Sequence, residues 1–249
     1  MPEISIKPEV VFHIGQLPIT NSMFMGTLTA IVLLIFGLLL KRSLSEVPGK
    51  LQGWFEVIME ETLKIMDNVL GSRERSLQYF PIVFTIFLFV LVSNWMGLLP
   101  LSHVLVGEAP LFRAATSDLN FTIALAVMSV LAVNVLGAAA IGVSAHLNKF
   151  FVNPLRDPIG SFVGLLELVS EFVKIISFSF RLFGNVFAGE VLLTIVAFLV
   201  PYAVPLPFLF LEVFVGVIQA FIFAMLTLVF LGMSIVTHGE HSNEPLVHA

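Results

Sequence analysis

Residues 23–40 (MFMGTLTAIVLLIFGLLL) form an eighteen-residue run without a charged side chain, ending at Lys41-Arg42. A helix of about that length crosses a hydrocarbon core roughly 30 Å thick. Four more apolar runs follow, at 79–100, 118–146, 158–200 and 205–236. A chain with this many such runs has to satisfy its backbone hydrogen bonds within lipid, which among spanning structures favours helices. Composition agrees. The chain is 58% hydrophobic and 12% charged, against about 45–50% and about 25% in soluble domains. A soluble globular enzyme is excluded on that ground. Disorder is excluded by the 25 Phe residues and the low charge. Net charge is −5 with no basic patch, so no nucleic-acid partner is expected. Cysteine is absent, which removes disulfides, zinc-thiolate sites and cysteine nucleophiles. The expected fold is an all-α integral membrane protein with about five membrane helices, packed in a lipid bilayer as one membrane domain over 1–249.

The segments between the runs complete the organisation. Residues 1–22 lack the basic start of a signal peptide and read as a short mature N-terminal segment. The first membrane helix is expected at 23–42. Residues 48–70 mix Trp54, Phe55, Ile58, Leu63 and Met66 with Glu56, Glu60, Glu61, Lys64 and Asp67 at helical spacing, the pattern of an amphipathic surface helix. Pro48 and Gly71 bracket it. Thr116, Ser117 or Asp118 is a candidate N-cap for the third span, and Asp157-Pro158 opens the fourth. Residues 237–249 form a polar tail. Six basic residues lie in the 41–78 loop, one (Arg113) in the 101–117 loop and two in the 147–156 loop. The positive-inside rule then predicts a periplasmic N-terminus and a cytoplasmic C-terminus.

The run from 158 to 200 is too long for an upright crossing, since a continuous helix of that length approaches twice the hydrocarbon thickness. No proline interrupts it, so a long, strongly tilted helix is expected. Projected at 100° per residue, Glu167, Ser170, Glu171, Lys174, Ser177, Arg181 and Asn185 fall in one sector, bordered by Gly184 and Ala188. Small residues there allow close approach of another helix. Glu190 lies on the opposite side of this helix. In the last segment Glu212 and Gln219, seven residues apart, share a face. Paired antiparallel, Arg181/Gln219 and Glu190/Glu212 have index sums of 400 and 402, so levelling one pair levels the other. The turn at 201–207 centres nearer 204, which calls for an asymmetric turn.

Ionisable residues inside a membrane are costly and mark transport pathways. Arg181 keeps its proton under all relevant conditions, so it attracts carboxylates and repels protons without carrying one. Glu190 and Glu212 are carboxylates suited to proton exchange. The residues thus outline two proton-accessible zones, Glu190 with Glu212 and the Glu167–Ser177 stripe, on either side of a fixed positive charge. Other readings stand beside these. Arg181 could pair with Glu167 or Glu171. Glu171 and Lys174 could snorkel to an interface. Glu190, Glu212, Asn185 and Gln219 could serve helix packing, and His146 reads as interfacial. No metal site is expected, because the histidines do not converge.

The run RLFGNVFAGE (Arg181–Glu190), followed by IQAFIFAMLTLVFLGM (Ile218–Met233), resembles subunit a of F-type ATP synthases, and in its compact form the bacterial and mitochondrial branches. ITNS (Ile19–Ser22), NWMGLLP (Asn94–Pro100) and TSDLNFT (Thr116–Thr122) match further pieces in the family's order, so the resemblance covers nearly the whole chain. It implies an essential cation at Arg181 with Asn185 and Gln219 near it. It implies a periplasmic half-channel through Glu190, Glu212, Asp118 and Asn120, and a cytoplasmic one through Glu167, Ser170, Lys174 and Ser177. At 212 some members carry histidine, so the relay implied here is a Glu/Glu pair. The last two helices are expected to lie nearly horizontal against a ring of c subunits.

The implied role is the proton-channel stator of the membrane Fo sector. It would conduct protons to and from the c-ring and couple proton-motive force to ATP synthesis. No cofactor and no nucleotide chemistry are expected in this chain, which lacks a G-x-x-x-x-G-K-[ST] loop. Expected partners are the c-ring, b-type peripheral-stalk subunits and the remaining ATP synthase subunits, in a bacterial inner membrane. The alternative is a self-contained proton-coupled secondary transporter with Arg181 binding an anionic substrate. Such folds show internal repeats, and no second segment matches 157–236.

Overall fold

The computed structural model describes residues 8–44, 49–99, 105–106, 109–110, 113–150, 158–200 and 203–235. Five of its helices are long and apolar enough to cross a membrane, as expected of an all-α integral membrane protein. The first, α1 (Asn21–Ser43), starts where the Thr20 side chain accepts a hydrogen bond from the Met23 amide. Asn21 and Ser22 behind that cap are fully buried. Before it, β1 (Val10–Ile14) and β2 (Leu17–Thr20) form an antiparallel hairpin. Its turn holds Gly15 at φ +64°, a conformation other residues rarely adopt. The segment read from the sequence only as a short N-terminal segment thus holds a hairpin.

The amphipathic helix α2 (Lys50–Leu70) ends on Gly71 in the left-handed conformation, φ 74°, whose amide bonds Asp67 O. Pro48, the other expected bracket, lies outside the described residues. Leu63, Met66 and Leu70 are buried with Tyr79, Phe80 and Phe84 of α3, whereas Trp54, Val57 and Ile58 stay exposed. Helix α3 (Arg73–Gly97) begins six residues before the expected start of its span at 79, because Ser72 accepts from the Arg75 amide and caps it.

A 3-10 turn (Ala115–Ser117) leads into α4 (Leu119–Ile141), capped by the Asp118 carboxylate on the Asn120 amide. Helix α4 ends at Ile141, short of the expected 146. Gly142 takes φ +92° and turns the chain into a separate short helix, α5 (Val143–Phe150). Asp157, expected to cap the next helix, lies outside the described residues. Helix α6 (Pro158–Leu199) runs unbroken for 42 residues, roughly 63 Å, and α7 (Pro205–Ile235) for 31. The tail 237–249 lies outside the described residues.

Helices α3, α4, α6 and α7 pack around one another. Phe178, Leu182 and Val186 of α6 bury against Ala220 and Phe223 of α7 and Val90 of α3. The Phe178 and Phe223 rings lie 4.9 Å apart, and Gly189 faces Glu212. Both pairs have an index sum of 401, between the two sums read from the sequence. The α6–α7 hairpin therefore has the register that sets Glu190 beside Glu212.

Candidate functional site

Three groups of polar side chains are distributed along α6. The first sits near its C-terminal end. There a cavity of about 270 Å³ opens between α3, α6, α7 and the loop before the 3-10 turn, lined among others by Asn94, Arg113, Glu190, Thr194, Glu212 and Gly216. Glu212 is buried to 8% exposure. Its carboxylate rests on Gly189, and a Cβ at 189 would collide with both carboxylate oxygens. The absence of a side chain at Gly189 is thus what admits Glu212 between the helices. Glu190 lies within electrostatic range of Glu212. The walls are pinned by hydrogen bonds. Thr116 Oγ1 donates to Asn94 Oδ1 (2.8 Å), Asn94 Nδ2 donates to Gly216 O (3.2 Å), and Trp95 Nε1 donates to Val213 O (3.2 Å). These bonds tie the NWMGLLP and TSDLNFT segments to α7.

Sequence reasoning missed Arg113, having counted it only as a loop charge. It is buried to 7%, and its Nε lies 3.5 Å from Glu190 Oε1. Asp118 and Asn120 do not line this cavity. Asp118 is buried and spends its oxygen on the Asn120 amide and side chain, at 2.9 and 3.3 Å, as the cap of α4. Asn120 is exposed.

The second group joins α4, α5 and the N-terminal half of α6. Lys174 Nζ bonds Glu171 Oε1 at 2.6 Å, and the side chains are 19% and 18% exposed. Asn134 Nδ2 donates to Glu171 Oε2 (3.1 Å), and Asn134 Oδ1 meets His146 Nε2 at 3.1 Å. Lys174 also stands over the Phe230 ring, 4.5 Å from its centre. Glu171 and Lys174 thus form a partly buried pair, and His146 is buried within the bundle. Neither Asn134 nor His146 stood out as a site residue in the sequence. Asn134 is a single amide in an apolar run, and only the fold brings it to Glu171.

The third group runs past the second and on toward the first along α6. Ser170, Ser177, Arg181, Gly184 and Asn185 are exposed along one face of α6. The polar sector read from the sequence is thus divided: Glu171 and Lys174 turn toward α4, Glu167 is half-buried, and the others face outward. Arg181 forms no hydrogen bond or ion pair with any described residue, so the ion pair with Glu167 or Glu171 is absent. Nothing lies within 4 Å of a Cβ placed at Gly184, which leaves the surface beside the guanidinium open. Gln219 is buried on α7. Along α6, Arg181 is about 15 Å from Glu171 and about 13.5 Å from Glu190. Among the described residues no cluster of His, Cys, Asp and Glu is arranged to hold a metal.

A cation with no partner among the described residues thus stands midway along a membrane-length helix, between two polar groups. Known proteins are similar to this sequence along most of its length. The family model described as ATP synthase A chain matches residues 23–232. ATP synthase subunit a of Campylobacter fetus is 34% identical over 97% of this chain and all of its own length. That of Moorella thermoacetica is 32% identical over 94% of this chain and 99% of its own. That of Gloeobacter violaceus is 31% identical over 96% and 93%. Matches of this extent, on a bundle of five membrane-length helices, establish that the chain belongs to the ATP synthase subunit a family and is a multi-pass membrane protein of proton transport and ATP synthesis.

Proposed function

We propose that this chain conducts protons through two half-channels offset on either side of Arg181, delivering them to and collecting them from carboxylates on a rotating ring of c subunits. The observation that carries the reading is Arg181 itself. A guanidinium without an anion is costly within a membrane, and this one has no partner among the described residues. Its exposed face therefore suits an anion from another subunit, and an ionised ring carboxylate supplies one. The small residue Gly184 beside it suits the close approach of a ring helix.

The mechanism follows from charge. In the proposed orientation, with the N-terminus periplasmic and the C-terminus cytoplasmic, the cavity with Glu190 and Glu212 is the periplasmic half-channel. Asp118 and Asn120 stand at the start of α4 on that side. A proton passes from water to this carboxylate pair and on to a ring carboxylate. Once neutral, that carboxyl can turn toward lipid, because burying it no longer means burying a charge. After nearly a full turn it meets the cytoplasmic half-channel along Glu167, Ser170, Lys174 and Ser177, and ionises. Arg181, with Asn185 and Gln219 beside it, attracts the ionised form and blocks direct passage of protons. One charge crossing 100 mV is worth about 2.3 kcal/mol, so a leak at this point would dissipate the gradient. A tilted α6 fits this role, because its roughly 63 Å exceeds an upright crossing twofold. The surface helix α2, with Trp54, Glu56, Glu60 and Glu61 exposed, suits a b-type stalk subunit in a bacterial inner membrane.

Purification from the native membrane tests the reading. The chain should copurify with a c-ring and the other synthase subunits, and Glu190→Gln should slow proton flux. A functional monomer that transports protons alone would refute it.

A further inference from the structure

We infer that Arg113 is a positioning residue of the periplasmic half-channel, a fixed cation that balances one of its two carboxylates and so sets the pH at which the pair exchanges its proton. The inference rests on the proposed relay through Glu190 and Glu212.

The local fold holds this arginine in place. Thr116 is bonded to Asn94, which is bonded to Gly216 O. Ala114 packs against Gly97, where a Cβ would collide with it. The backbone at 113–117 is thus fastened to α3 and α7. From it Arg113 Nε donates to Ser117 Oγ at 3.0 Å, and Nη2 approaches Ser117 O at 3.5 Å. Ser117 Oγ in turn donates to Ala114 O at 2.9 Å. The guanidinium is therefore oriented by the turn that carries it, independently of Glu190.

A charge buried this deeply requires an opposite charge close by. Glu190 Oε1 is 3.5 Å away, too far for a short hydrogen bond but well within ion-pair range. The other oxygen, Glu190 Oε2, is buried and has no hydrogen-bond partner among the described residues. One oxygen thus faces the cation and the other is left to take a proton. Among the described residues, the charged side chains lining the cavity are Arg113 from the loop before the 3-10 turn, Glu190 from α6 and Glu212 from α7, with the neutral Asn94 from α3. Among these three side chains, two carboxylates against one permanent cation leave one negative charge, which one proton neutralises.

Removing the positive charge favours the protonated carboxyl, so the pair would hold its proton to higher pH. The test uses the whole synthase in proteoliposomes, with proton flux measured against pH on the side that the cavity faces. Arg113→Gln should move the midpoint of that profile up by about one unit or more. Arg113→Lys, which keeps the charge but not the fork, should leave the midpoint in place. A wild-type midpoint in Arg113→Gln, at any flux, would overturn the inference. If Arg113→Gln fails to assemble, Arg113→Gln/Glu190→Gln decides. Restored assembly supports the charge balance, and continued failure assigns Arg113 to folding alone. Unchanged flux in Glu190→Gln by itself would instead remove the relay on which the inference rests.

Discussion

Gly189→Ala separates the position of Glu212 from the stability of the fold. An added Cβ would overlap Glu212 Cδ and both carboxylate oxygens. These atoms are the far end of a rotatable side chain, so the carboxylate can swing away while the helices stay in place. Overpacking a core typically costs about 1–3 kcal/mol. Alanine recovers about 1 kcal/mol of helix propensity over glycine, and rotation of Glu212 relieves most of the overlap. The net change in stability should therefore stay within about 1 kcal/mol. Function should suffer far more, because displacing a proton-carrying group by about 1 Å costs up to about 100-fold in rate. The assay pairs thermal unfolding of the purified synthase with proton flux in proteoliposomes. Flux should fall at least about tenfold, with the midpoint of unfolding nearly unchanged. Glu212→Asp in the Gly189→Ala background shortens the side chain by one methylene and should restore part of the flux, a coupling that a double-mutant cycle reads directly. Additive losses, or wild-type flux in Gly189→Ala, would refute the contact as the determinant of the relay.

Other consequences are equally open to measurement. Gly137→Ala should destabilise the bundle by about 1–3 kcal/mol, because its Cβ would collide with Ser234 Oγ and Cβ at the α4–α7 crossing; Gly37→Ala, with nothing within 4 Å, should be neutral or slightly stabilising in the same melts. Asn134→Ala takes one partner from Glu171 and one from His146 and should cost about 1–3 kcal/mol, seen as earlier thermal unfolding in detergent. The Ser76 hydroxyl, and then Arg73, hold the Asp67 carboxyl below the usual carboxylate range. Its contribution to the α2–α3 corner is therefore present above about pH 4 and lost as pH falls through the lowered value, so amide exchange there should quicken on acidification in wild type and not in Asp67→Asn.

Much of the architecture is legible in the sequence because lipid permits few alternatives. Uncharged runs of about 20 residues mark the spans, and the proline-free stretch after Pro158 is one unbroken helix. The register of the last hairpin is legible too, because charges in apolar helices are few enough for their spacing to carry information. What escapes is tertiary. Arg113 is the one basic residue of the 101–117 loop, where a lone arginine reads as solvated, and only the bond chain from Thr116 to Asn94 to Gly216 brings the turn inward. His146 and Asn134 are single polar residues at a helix end and in an apolar run, joined to each other, and through Asn134 to Glu171, only after Gly142 breaks the helix. The inward turn of Glu171 and Lys174 is decided by α4, which the α6 sequence does not contain. The N-terminal hairpin depends on a two-residue turn with one positive-φ glycine, a short signal beside the apolar run that follows.

The central claim is that Arg181 is the unpaired cation separating two proton paths. Its most direct test is ATP-driven proton pumping and passive proton leak in synthase complexes carrying Arg181→Ala. The side chain is exposed and makes no bond to a described residue, so the complex should assemble normally. Pumping should fall to background, and passive conduction through the membrane sector should rise as the barrier between the half-channels is lost. Retained ATP-driven pumping in the assembled variant would contradict the account.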